Sequence, residues 1–131
     1  MEPNRSIGKG ARVLLVEDEP AIGEIVTEAL EEQGFEVLFA DNAPDALFLL
    51  TAAGRIDVLF TDVNLPGDID GTALAQLARA MRPDLPIVYT SGRRPGAYSL
   101  RPDKRSVFVA KAYDPFAVGP MLGSLVGLKV A

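Results

Sequence analysis

The chain of 131 residues contains no cysteine and no histidine. Without cysteine there is no disulfide framework, no thiolate metal site and no thiol nucleophile. Without histidine the commonest general base and the usual transition-metal ligand are both missing. Long apolar runs are absent too: none approaches the roughly 20 residues that span a bilayer. No secretory signal pattern opens the sequence, so a cytoplasmic location is expected. Basic residues are outnumbered, 13 Lys and Arg against 18 Asp and Glu, and the net charge of -5 argues against non-specific nucleic-acid binding. Chemistry here is left to carboxylates, hydroxyls and amines.

What is present reads as one soluble globular domain. The chain is long enough for a single substantial core. Residues 1–10 carry charge, two glycines and no periodicity, and are expected to form a flexible tail ahead of a domain over 11–131. Arg12 to Val16 is a buried strand that ends in Glu17-Asp18-Glu19-Pro20. A helix follows, with Ile22, Ile25, Val26, Ala29 and Leu30 on one face and Gly34 as its stop. Phe35 to Ala40 is a second strand. Asn42 then caps a helix that has Pro44 and Asp45 in its first turn and ends at Gly54.

The stretch Asp57 to Gly67 is central. Val58-Leu59-Phe60 is a short apolar run of the kind buried on both faces of a sheet. It stops at Asp62, and Pro66-Gly67 turns the chain away. Gly71 to Met81 reads as a helix with Leu74, Leu77, Ala78 and Met81 inward. Pro86 to Tyr89 is the fourth strand, closing on Thr90-Ser91-Gly92. Val107 to Ala110 is the fifth, closing on Lys111. Asp114-Pro115 opens a last helix with Val118, Met121, Leu122 and Leu125 as its apolar face. Strands that alternate with helices predict an α/β, doubly wound, five-stranded parallel sheet. Such sheets bind ligands at the carboxyl ends of their strands. Glu17, Asp18, Asp62, Thr90 and Lys111 all fall at that edge.

Carboxylates meeting at one edge repel unless a cation neutralises them. Mg²⁺ suits such oxygen donors, and the main-chain carbonyl of Asn64 could add one more ligand. Thr90 and Lys111 suit the oxygens of a phosphoryl group. With no Ser-His or Cys-His pair possible, the plausible nucleophile is Asp62, forming an acyl phosphate.

In this order, Val-Leu-Leu-Val-Glu17-Asp18-Glu19-Pro20, Thr61-Asp62-Val-Asn64-Leu-Pro66-Gly67 with Asp70-Gly71, Pro86-Ile-Val-Tyr-Thr90-Ser91-Gly92 and Val109-Ala110-Lys111 resemble the receiver (response-regulator) domains of two-component signalling, of the single-domain type. The resemblance covers Arg12 to Val126. It implies a flavodoxin-like sheet with strand order 2-1-3-4-5 and Asp62 as the phosphoacceptor. It further implies Glu17, Asp18, Asp62 and the Asn64 main-chain carbonyl at Mg²⁺, Thr90 as the switch hydroxyl and Lys111 as the phosphate-contacting lysine. Phe108 falls where the family carries its switching aromatic, though an ordinary core Phe would read the same way. The implied partners are a sensor histidine kinase or phosphotransfer protein and a downstream protein target, with no direct nucleic acid or membrane. The apolar last helix could support a homodimer. No independent substrate turnover is expected.

Two departures from the family stand out. Ala112 replaces the usual proline after the lysine, and a cis bond before a non-proline residue costs about 2.5–4 kcal/mol, which leaves cis or trans open at Lys111-Ala112. Between Gly92 and Ser106, Pro95, Gly96 and Pro102 disfavour the family's fourth helix, which is expected to be shortened or replaced by a mobile loop. Arg93, Arg94, Arg101, Lys104 and Arg105 would make that loop a basic patch. Three other functions compete. A Mg²⁺-dependent aspartyl-phosphate phosphohydrolase would want an acid two residues after the nucleophile, where Asn64 cannot transfer a proton. A flavin or nucleotide carrier would want a phosphate-cradling loop where Glu17-Asp18-Glu19 stands. An unphosphorylated pseudo-receiver scaffold would not need the full set of chemical groups.

Overall fold

A computed structural model describes residues 7–92 and 105–130, with the backbone alone for 128–130. Five strands, β1 (Arg12–Val16), β2 (Glu36–Ala40), β3 (Val58–Asp62), β4 (Ile87–Ser91) and β5 (Ser106–Ala110), are joined with helices α1 (Pro20–Glu32), α2 (Ala43–Ala52), α3 (Gly71–Met81) and α4 (Pro115–Val130). All pairings are parallel and the order is β2-β1-β3-β4-β5. This is the flavodoxin-like sheet expected.

The strand pleat divides the core between two faces. Leu14, Val16, Leu59 and Ile87 pack with Ala46 and Leu50 of α2 and Leu74 and Ala78 of α3. On the other face, Val13, Leu15, Val58, Phe60 and Val88 meet Val26 and Leu30 of α1 and Val118, Leu122 and Leu125 of α4. Every residue of β3 is buried, so this strand is the axis of the molecule. Local chemistry sets the helix ends. Pro20 stands in the first turn of α1, where its missing N–H costs nothing, and Gly34 just past the helix takes φ +96°. The Asn42 and Asp70 side chains accept from the amides of Asp45 and Ala73, at 2.8 and 2.9 Å.

Several expectations need correction. Ile25 is 60% exposed rather than inward. The buried face of α1 carries Gly23, Val26, Ala29 and Leu30; Ile25, about 100° round the helix from Val26, points away from it. Leu77 and Met81 are 43% and 42% exposed. Each follows a buried residue, Leu74 or Ala78, by three positions, which puts it at the rim of the buried stripe. Residues 7–10 are not a free tail. Gly8 and Gly10 donate to the carbonyls of Gln33 and Gly34, both at 2.8 Å, and Ile7 packs against the α1–α4 face. The turn after α1 offers those carbonyls, and the segment satisfies them.

The shortened or replaced helix and basic patch expected between Gly92 and Ser106 lie outside the described residues, except for Arg105. Its guanidinium pairs with Asp84 at 3.0 Å.

Candidate functional site

The sheet register brings the singled-out residues to one edge. Val16 pairs with Thr61, so Glu17 stands level with Asp62, and Asp62 pairs directly with Thr90. Glu17 and Asp62 are 1% and 4% exposed, whereas Asp18 faces solvent. One carboxylate oxygen from each of these three acids lies within 4.8 Å of the others. Lys111, just past β5, places Nζ 2.8 Å from Asp62 Oδ2 and 3.1 Å from Glu17 Oε1. Asp62 Oδ1 accepts from the Asn64 amide at 3.0 Å, and Glu17 Oε2 accepts from the Glu19 amide at 3.1 Å. Thr90 is buried, and its hydroxyl has no hydrogen-bond partner among the described residues. Leaving such a group unpaired costs about 1–3 kcal/mol, so this hydroxyl has unused donor capacity beside Asp62.

Among the described residues the charges do not balance. Burial pushes the Glu17 carboxyl above its ordinary value; the Glu19 amide and Lys111 oppose this without cancelling it, and the Asp62 charge adds to it. Burial alone would lower the Lys111 ammonium, but its hydrogen bond to Asp62 and its ion pair with Glu17 prevail and hold it above its ordinary value. A single ammonium therefore serves two buried carboxylates, with Asp18 at the mouth. Glu17 Oε1 has that ammonium beside it and no aligned hydrogen bond. Hard oxygen donors, excess negative charge and one solvent-facing carboxylate fit a hydrated Mg²⁺, which keeps several of its waters. Glu17, Asp18 and Asp62 are the side chains that could hold it.

Glu17, Asp18, Asp62, Thr90 and Lys111 thus converge, and Asn64 touches Asp62 through its amide. Phe108 does not join them. It is half-buried on β5, paired in register with Tyr89, while its neighbours Val107 and Val109 supply the core contacts. The Lys111–Ala112 peptide, whose isomer the sequence leaves open, is cis. Anchors on both sides set the path of this loop: the Lys111 ammonium on two carboxylates, and Tyr113, whose ring centroid is 5.4 Å from that of Phe60. The sequence reading passed over Tyr113. Burial first, then the Glu17 charge, pushes its hydroxyl up to about 12; an aromatic two residues past the lysine was the available signal. Ser91 was also passed over. It is fully buried, accepts from Asn64 Nδ2 at 3.3 Å, and its carbonyl accepts from the Lys111 amide at 2.9 Å.

A doubly wound sheet with an acidic cluster, a lysine and a hydroxyl at its carboxyl edge defines a class of small α/β proteins whose site lies on the strand ends. Residues 13–113 match the response regulator receiver domain family, and the chain belongs to it. The response regulator receiver protein CpdR of Brucella abortus is 31% identical over 121 residues, which span 92% of this chain and 98% of that protein. The crystal structure of the receiver domain from the hybrid histidine kinase CckA is 32% identical, with a TM-score of 0.74 over 88% of this chain and 99% of that one. A response regulator receiver protein from Sinorhizobium medicae has the same fold, with a TM-score of 0.83 at 24% identity over 92% of this chain and 98% of that one. Other curated relatives are longer: the chain spans 36%, 12% and 21% of three of them. The protein is a receiver domain of two-component signalling.

Proposed function

We propose that this receiver takes a phosphoryl group on Asp62 in a Mg²⁺-dependent step, and that the modified surface then binds a protein target. The observation that carries this reading is a nearly buried Asp62 with the Lys111 ammonium at 2.8 Å and a partnerless Thr90 hydroxyl opposite it in register. Glu17, Asp18 and Asp62, with the main-chain carbonyl of Asn64, would hold the Mg²⁺. The ion would supply the positive charge that lets an anionic phosphoryl group approach an acidic edge.

The chain's own residues do the rest. In transfer from a phosphohistidine of a sensor kinase or phosphotransfer protein, the Asp62 carboxylate forms a new O–P bond as the donor's N–P bond breaks, and the imidazole leaves with the electron pair. Lys111 offers its ammonium, and Thr90 its hydroxyl hydrogen, to the phosphoryl oxygens. Drawing Thr90 toward the phosphate moves the end of β4 and selects a surface the partner prefers.

With Mg²⁺ and a small phosphodonor, the protein is expected to gain one phosphoryl equivalent by intact mass, in a hydroxylamine-sensitive adduct. Asp62→Asn is expected to abolish it. Equal labelling of that variant would remove Asp62 from the role.

A further inference from the structure

The main chain of Asp62 is held from two sides, independently of its carboxylate. The hydroxyl of Thr61, itself fully buried, donates to the Asp62 carbonyl oxygen at 2.9 Å. On the other side lies Gly71, the first residue of α3. Its amide donates to the Val63 carbonyl at 2.8 Å, which draws the start of the helix onto the end of β3. A Cβ built on Gly71 would overlap the Asp62 carbonyl oxygen and sit 2.8 Å from both the Asp62 carbonyl carbon and the Val63 Cα. These are backbone atoms, so no side-chain rotation relieves the overlap. Gly71 does not need the left-handed backbone region either. Space is the reason for glycine here.

The Asp62 carbonyl shares a rigid peptide plane with the Val63 N–H. That N–H donates to the Thr90 carbonyl at 2.9 Å. A push on the carbonyl therefore turns the plane, tilts the Asp62 Cα and its carboxylate, and pulls on the strand that carries Thr90. We propose that Gly71 is a positioning residue for Asp62: with the Thr61 hydroxyl it clamps the Asp62 carbonyl, and the clamp aims the carboxylate at Lys111 and the acidic cluster. This rests on Asp62 being the phosphoacceptor.

The test compares phosphorylation rate with folding in Gly71→Ala, Thr61→Val, Thr61→Ser and a matched glycine control, Gly54→Ala, whose Cβ meets nothing within 4 Å. Misplacing a reacting group by about 1 Å costs up to about 10²-fold in rate. Gly71→Ala is expected to slow labelling at saturating donor and Mg²⁺ by about tenfold or more and to weaken beryllofluoride binding, with an unchanged circular dichroism spectrum. Gly54→Ala should label like wild type. Thr61→Val should slow labelling by a smaller factor, and Thr61→Ser should restore it. A folded Gly71→Ala that labels at the wild-type rate overturns the clamp. If Gly71→Ala does not fold, the Thr61 pair decides: equal rates for valine and serine overturn it, and recovery with serine alone supports it. Failure of the wild type to label would instead remove the phosphoacceptor reading, so the two failures are distinct.

Discussion

At the amino edge of the sheet, Arg12 and Arg55 meet Glu36 and Asp57, two cations to two carboxylates. Arg12 pairs with Glu36 at 3.0 Å and Arg55 with Asp57 at 3.1 Å, while the Asp57 carboxylate also accepts the Arg12 amide at 2.8 Å. At the carboxyl edge the single ammonium of Lys111 faces Glu17 and Asp62, with Asp18 beside them. Among the described residues, the first arrangement is balanced and partly exposed; the second is unbalanced and mostly buried. Evenly matched charges near water do little beyond closing a register. An excess of buried negative charge is unstable on its own, and persists where a cation or a ligand is to be received. The contrast locates function within a fold whose two ends are built from the same kinds of residue.

The largest effect should come from removing Lys111, the one cation paired with these carboxylates among the described residues. Lys111→Met leaves two buried carboxylates without their ammonium and is expected to cost about 1–3 kcal/mol at neutral pH by denaturant unfolding. Glu17 already sits above its ordinary value, so it contributes stability below its unfolded pKa and loses it as pH rises through the folded one. Taking away the lysine raises that folded value further. The gap between variant and wild type should therefore narrow toward pH 4, and added Mg²⁺ should narrow it at neutral pH. A gap that does not depend on pH would mean that Lys111 acts by packing.

A smaller change should separate metal ligands from mere acidity. Asp18→Ala is expected to weaken Mg²⁺ binding about tenfold, or about 1.4 kcal/mol. Glu19→Ala, at the exposed N-cap of α1, should leave it nearly unchanged. Titration of Mg²⁺ onto both variants measures this, and equal losses would reduce the edge to a diffuse field. The smallest effect belongs to the balanced edge: Arg55→Ala, 58% exposed as a side chain, is expected to cost about 0–1 kcal/mol, less at high salt, with phosphorylation rate unaffected. A large loss there would erase the comparison.

Much of this was legible in the residues. β3 and the acids after β1 could be read because a buried parallel strand must be apolar throughout, so a carboxylate at its end marks the edge. The glycines were less legible. Gly34 reads as a stop because its effect is local, whereas Gly71 matters through a backbone carbonyl nine residues earlier in the chain, which no periodicity reveals. Ile25, Leu77 and Met81 were read as inward because apolar spacing marks a stripe without its centre. The docked Gly8 and Gly10 were read as tail because their partners, Gln33 and Gly34, are distant in sequence.

The order of elements, the five strand ends and the chemical types available at them follow from the sequence by itself, because apolar periodicity and turn residues act locally. Which ends meet, and in what register, belongs to the tertiary structure. Pairing of β3 with β4 puts the unpartnered Thr90 hydroxyl opposite Asp62, and the path after β5 brings Lys111 back across 49 residues to Asp62 Oδ2. The burial that raises Glu17 likewise exists only in the packed fold, since desolvation is a property of the surroundings and not of the side chain.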